Sequence, residues 1–306
     1  MARCIHRPAI ALLALVACAG PSREAAGGPA AGPGAVTLRF AWPAGFQTRV
    51  LLRHESRRSG QPPSRAVVRH LITTEARGRE IWIFNRETEG QGDEPGLEVN
   101  LHIGEAVIQV VAPDGTFLRA EGLDEALAFL PGADEAAREK ARKALARMAA
   151  EDWELTTGAW QGRRLEEGAT VGKRVEGSVP LLPGLVSAMD VELLLQGRVP
   201  CEEGEAETRC VQLSYRAEPA ASERPALLQQ IRAALANGVG DSVVPSVEDF
   251  SASRSATLVA EPGTLVPHRL GVREDLTLRL RMPGGDVREL EERSRDEYRF
   301  APEVAL

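Results

Sequence analysis

The sequence predicts an α+β fold, a large curved antiparallel β-sheet of about ten strands with two main helices packed on one face. Three observations lead there. Alternating apolar and polar residues recur in short segments from Val36 to the end of the chain. Only residues 134–150 and 222–236 carry a long apolar stripe at helical spacing. The connections are short and rich in Gly, Pro and Asp, so successive strands can pair as antiparallel neighbours.

Taken in order, residues 36–40 form a first strand stopped by Pro43, and residues 46–55 a second. After the Gln61-Pro62-Pro63-Ser64 loop come strands over 65–76 and 80–89, the latter with Ile81 and Ile83 on one face and Trp82 and Phe84 on the other. Residues 90–96 are a polar loop. Residues 97–103 and 106–111 read as strands leading into the Pro113-Asp114-Gly115 turn, and 116–120 return. A short helix over 124–130 ends at Pro131-Gly132. The helix over 134–150 buries a stripe of Ala137, Ala141, Ala144, Leu145 and Met148, with Asp134/Arg138 and Glu139/Lys143 paired four residues apart. Strands follow over 173–179, 191–199 and 211–215. The helix over 222–236 starts at Ser222 and stops at Asn237-Gly238. Residues 247–259 and 268–282 are strands. Residues 287–300 are so charged that they suit either an edge strand or a helix, and the edge strand is the favoured reading. Residues 36–306 are expected to form a single domain, with residues 165–171 as the alternative point of division.

The N-terminus carries a separate message. Arg3 and Arg7 precede an apolar run over residues 9–17, much shorter than the roughly 20 residues that span a bilayer, as in a cleaved signal segment. Leu15-Val16-Ala17-Cys18 is similar to the lipobox of bacterial lipoproteins. That resemblance implies cleavage before Cys18, acylation of its thiol and amine, and a partner in the membrane itself. The absence of Asp after Cys18 implies the outer membrane among the envelope locations. Two or three acyl chains anchor durably where one does not. Residues 18–35, rich in Gly, Ala and Pro, would form a flexible tether.

Composition narrows the partners. Loss of residues 1–17 would take the net charge from −7 to −9, which argues against nucleic acid, whose binding needs clustered Lys and Arg. Export leaves Cys201 and Cys210 in an oxidising compartment, where a disulfide between the two strands of a hairpin is expected.

No catalytic motif is present. His54, His70, His102 and His268 are too far apart for a zinc-protease spacing, and neither Gly-x-Ser-x-Gly nor Ser-x-x-Lys occurs. Gly168 to Lys173 has the wrong spacing for a phosphate loop. Glu202, Glu203, Glu205 and Glu207 lack calcium-loop punctuation and read as a solvated hairpin tip. Trp42, Trp82, Trp153 and Trp160 are expected to pack the core. No metal and no cofactor are expected. The expected role is non-enzymatic binding or structural duty at the envelope, toward an envelope protein or other partner. The alternatives are a carrier with a groove for a lipid or other hydrophobic ligand between sheet and helices, and an enzyme whose site is assembled non-locally. The combination of curved sheet and helices resembles lipoprotein-carrier folds of the LolA/LolB type, and the carrier role is what that likeness implies.

Overall fold

The structure is a computed structural model that describes residues 35–43, 45–129, 134–182, 184–239 and 245–302. The expected signal segment, Cys18 and residues 19–34 of the expected tether lie outside the described residues, as does the Pro131-Gly132 stop.

The described strands are β1 (Val36–Thr37), β2 (Gln47–Arg58), β3 (Ser64–Arg77), β4 (Glu80–Gly92), β5 (Ile108–Val111), β6 (Phe117–Glu121), β7 (Arg164–Leu165), β8 (Thr170–Ser178), β9 (Val186–Val199), β10 (Cys210–Pro219), β11 (Ser246–Ala260), β12 (Pro267–Arg281) and β13 (Val287–Pro302). Four helices accompany them: α1 (Leu97–Ala106), α2 (Leu123–Leu127), α3 (Glu135–Trp153) and α4 (Arg224–Val239). β1 and β7 form a small ribbon. The other eleven strands make one sheet in the order β6-β5-β4-β3-β2-β13-β12-β11-β10-β9-β8, with every pairing antiparallel. The fold is therefore predominantly antiparallel sheet with helices added, as expected, with one strand more than the alternation suggested.

The sheet is strongly curled. Gln109 on β5 donates to the carbonyl of Ala149 in α3 at 2.9 Å, while Ser178 N on β8 donates to Glu151 at 2.7 Å. β5 and β8 are nine strand positions apart, which in a flat sheet would separate them by roughly 43 Å. Two residues of one helix reach both only because the sheet wraps around the end of α3.

One end of the wrapped sheet is plugged. Trp153 and Trp160 are 1% and 0% exposed, and their indole N–H groups donate to the carbonyls of Gly115 and Leu155 at 2.9 and 3.1 Å. Phe40 and Trp42 pack on Trp153 at 5.5 and 5.7 Å between ring centroids. Backbone bonds from Arg39 and Ala41 to the β11–β12 turn hold this segment in place. The plug takes residues 38–42 out of the sheet, so the first predicted strand is regular only over Val36–Thr37.

Four other expectations are corrected. Residues 97–106 are helical rather than extended: Gly96, at φ 78°, turns the chain, and Leu101 of α1 packs where a side chain on Gly90 of β4 would clash. Tertiary contact overrides a period-two pattern here. β13 is a central strand, paired with β12 on one side and β2 on the other. Its charges are tolerated because its convex face is solvated, as in the Arg293–Glu291 and Arg295–Glu297 pairs at 3.0 and 2.6 Å. α4 runs through Asn237-Gly238 to Val239, and Ser222 lies in a short 3-10 turn ahead of it. Asp134 does cap α3, accepting from Ala137 N at 2.7 Å, and Ala141, Ala144 and Leu145 are buried, but Ala137 is exposed and Met148 is 45% exposed.

Candidate functional site

Register places polar residues of five strands in one row across the concave face. Arg254 of β11 stands opposite Glu274 of β12, Glu274 opposite Ser294 of β13, Ser294 opposite Ser56 of β2, and Ser56 opposite Ser64 of β3. These positions share the phase of buried apolar neighbours, Ala252 and Ala256 on β11 and Val272 and Leu276 on β12, so they point inward.

The row is hydrogen-bonded along much of its length. Arg254 Nε donates to Glu274 at 2.6 Å and its Nη1 to Glu151 of α3 at 3.2 Å. Burial opposes the Arg254 charge, but the two carboxylates outweigh it and raise its pKa. The Ser56 and Ser64 hydroxyls are 2.7 Å apart, and Ser64 donates to Glu94, which the loop after β4 folds inward. Beside the row, His54 of β2 faces Asp296 of β13, with Nδ1 to Oδ1 at 2.6 Å, and its Nε2 lies 3.7 Å from Glu94. The hydrogen bond to Asp296 holds the imidazole above its ordinary pKa against burial.

Asp152 completes the site from the helix side. It follows Met148 by one turn on α3, and both are exposed while Ala141, Ala144, Leu145 and Ala149 are buried. Protein packed around it on the inner side of the curl pushes its carboxyl up to about 7, opposed by Arg254 and reinforced by Glu151, Asp296 and Glu274. Tyr298 of β13 lies on the same inner face, half-buried against the hydrophobic core. Burial and the charges of Asp296, Asp152 and Glu274 raise its hydroxyl well above the usual value.

The concave side opens away from the aromatic plug. α1 covers the concave side of β4, with Asn85 donating to the carbonyl of Gly104 at 3.2 Å. α4 covers β11 and β12 through Leu227, Ile231, Phe250, Leu276 and Leu280. Between these flanks lie β2 and β13, whose inward residues toward the mouth, Arg58, Arg288 and Leu290, are exposed, Leu290 by 42%. Arg58 and Glu292 pair across this floor at 2.9 Å. From β3 to β12 is three strand spacings, about 14 Å, which sets the breadth of the groove.

No family model and no curated protein matches the chain. Among solved structures it is similar to a chain described as "lipid-protein interactions in lipovitellin". The TM-score is 0.43 and the identity 9%, over 90% of this chain and 26% of that one. The chain thus spans about a quarter of that protein's length.

The remaining residues singled out in the sequence fall elsewhere. His70 on β3 points inward, and burial lowers its pKa to about 4. His102 is exposed and stacks on Phe129 at 4.8 Å. His268 is buried between Glu202 at 2.9 Å and Glu261 at 3.5 Å. It lies beside Cys201 and Cys210, but those sulfurs are joined in the predicted disulfide, with Cα atoms 5.0 Å apart, and are not thiolate ligands. The hairpin-tip glutamates are mainly engaged in pairs, Glu202 with His268, Glu203 with Arg269 at 3.5 Å and Glu205 with Arg209 at 3.6 Å. Trp153 and Trp160 are core residues; Trp42 is packed against the same core, and Trp82 is half-buried under Arg77 at 4.2 Å. Of these four histidines, His54 is the one that lies beside the concave row.

Glu274 was detectable from the strand alternation, because extending the apolar phase of Leu276, Leu278 and Leu280 backward lands on it. The convergence with Glu151, Asp152 and Asp296 requires the register and the curl.

Proposed function

We propose that this protein is a non-enzymatic binding protein of the cell envelope. It takes an apolar-tailed ligand into the groove between α1 and α4 and is held at a membrane by acyl chains on Cys18. The observation that carries the reading is β13. It lies mid-sheet, yet Arg288 and Leu290 on its concave side are open to water, as is Arg58 of β2, while α1 covers β4 and α4 covers β11 and β12. A central strand ordinarily hides one face in the core. Leaving this one accessible at one end, above a closed aromatic plug, makes a blind groove that fits an extended chain. Ser56 and Ser64 are bonded to one another and Ser64 to Glu94, not to His54, so no nucleophile stands against the imidazole. That favours binding over acyl transfer.

Titration with a fluorescent single-chain amphiphile tests the groove. Saturable binding is expected, lost in Ser294→Trp, which fills the floor, and retained in Arg269→Ala at the hairpin end. Binding unaffected by Ser294→Trp would refute the assignment. For the anchor, Cys18→Ser is expected to release the protein from the membrane fraction and remove the acyl mass seen by native mass spectrometry.

A further inference from the structure

The outer face of the sheet is far more basic than the chain as a whole. Arg269 of β12 stands directly opposite Arg299 of β13, Arg273 opposite Arg295, and Arg293 of β13 opposite Arg57 of β2. These positions alternate with the inward Val272, Leu276, Ser294 and Asp296, so all six point to the convex side. Like charges directly opposite one another destabilise a sheet, and three such pairs on adjoining strands bring no packing in return. Arg49 and Arg53 of β2 and Arg65 and Arg69 of β3 extend the same face. Nine of these ten arginines are exposed and Arg269 is half-buried. Arg53 and Arg69 pair with no carboxylate among the described residues. Within the patch the carboxylates are Glu55, Asp275 and Glu297. On its border stand Glu89, Asp93, Glu203 and Glu291, together with Arg86. Eleven cations against seven anions leave an excess of four on a chain of net charge −7. β13 is the sixth of the eleven strands, so this face is the crest of the curl, and from Arg49 to Arg57 it runs about 27 Å along the strands.

We propose that this crest lies on an anionic phospholipid bilayer, its arginine forks meeting lipid phosphates while the concave face opens away from the membrane. The choice of a bilayer rests on the Cys18 reading above; the basic patch stands apart from it. A curled sheet meets a flat surface along its crest first, and guanidinium groups bind phosphate oxygens two at a time. A protein partner fits less well, because interface cores are depleted of charge, whereas here Leu51 and Val67 stand singly among the arginines. Val36 follows Cys18 by 18 positions, a span of at most roughly 65 Å, so an acylated Cys18 leaves the crest free to reach the membrane that holds it. Acyl chains and a basic patch act together in durable anchoring. The patch alone is too weak to resist a salt wash, which keeps the release expected of Cys18→Ser.

The test is cosedimentation of the full chain carrying Cys18→Ser, which no acyl chain holds, with vesicles of phosphatidylcholine alone or with about one-third phosphatidylglycerol, at about 0.05 M salt. The N-terminal segment is the same in every variant, so differences between variants read the patch. Partitioning is expected to be about tenfold or more stronger onto the anionic vesicles, and to lose that advantage at about 0.5 M salt. Arg53→Thr, Arg69→Thr and Arg299→Thr combined should bring it to within about threefold of the neutral vesicles, and Arg53→Glu alone should weaken it by about threefold or more. Threonine suits an exposed strand, so the melting temperature should not fall. Arg79→Ser, Arg138→Ser and Arg164→Ser combined remove the same charge from exposed positions outside the patch, and should leave partitioning within about twofold of the parent's. Equal losses in the two triple variants, or equal partitioning onto both kinds of vesicle, overturn the proposal but leave the anchor. Patch-dependent binding with no acyl mass on Cys18 upholds it and refutes the anchor. Stronger patch-dependent binding to duplex DNA or to polyglutamate than to the anionic vesicles overturns the choice of a bilayer.

Discussion

Arg254 and Glu274 stand directly opposite one another on adjacent strands, and their side chains meet at 2.6 Å on the inner face of the sheet. Both are less than one-fifth exposed, as is Glu151, which approaches Arg254 from α3. An ion triad in that position is expensive to desolvate and is retained only where its members are mutually satisfied.

Removing the cation leaves two carboxylates enclosed without their partner. Arg254→Leu is expected to destabilise the fold by about 3–5 kcal/mol. Glu274→Gln leaves Arg254 its bond to Glu151 and should have less effect, about 1–2 kcal/mol. Urea unfolding of the two variants measures the order; equal losses would mean that the triad does not act as one unit.

Asp152 makes the protein more stable in mild acid. Its folded pKa, about 7, lies above its ordinary value of 3.8, so the folded state holds the proton more tightly. Stability therefore falls as pH rises from about 4 to about 7, and is flat in this respect above that. Asp152→Asn removes the fall. Its melting temperature should exceed that of the unsubstituted protein by about 2–4 °C at pH 8, with the gap closing at pH 4.5. Thermal unfolding followed by circular dichroism across that range reads the result.

His70 sets the opposite limit. Burial holds its imidazole neutral, with a pKa near 4 against 6.5 when free. Its contribution is fully present above about 6.5 and is lost as pH falls toward about 4. His70→Leu should lessen the acid sensitivity, with a melting temperature higher than the parent's by about 2–4 °C at pH 5 and no gain at pH 8. A gain of equal size at both values would trace to packing rather than to titration.

The disulfide joins residues nine apart, at the end of the β9–β10 hairpin. Both cysteines are buried against Val259. Replacing both with Ala releases the constraint on a short loop of the unfolded chain and is expected to lower stability by about 2–3 kcal/mol. The groove is built from other strands, so probe affinity should stay the same. A change in affinity would show that the hairpin end is coupled to the groove.

Much of the strand layout is visible before folding, because alternation and turn residues act over a few neighbours. Ser64 to Arg77, Ser246 to Ala260 and Pro267 to Arg281 lie within a few residues of the stretches that alternate. What escapes is whatever depends on distant partners. Leu97 to Ile103 alternate like a strand but coil into α1 because Gly90 leaves room for Leu101. β13 has the composition of an edge and lies at the centre, because the convex charges meet water and the concave ones meet His54 and Arg58. Met148 fits the apolar stripe in spacing, yet no neighbouring element covers it and it is 45% exposed. The row from Arg254 to Ser64 exists only in the register of five strands, two of which come from the opposite half of the chain.

The pairing of β2 with β13 has a consequence for how the molecule is made. His54 and Asp296 are 242 residues apart in the chain, so the seam between the two halves closes only after nearly all of it has been synthesised. Until then β2 and β12 each present a long unpaired backbone, the kind that recruits strands from other chains. A nascent copy cut short before Val287 would be two open fragments with adhesive borders. Holding such copies apart until the last strand arrives is a task for chaperones.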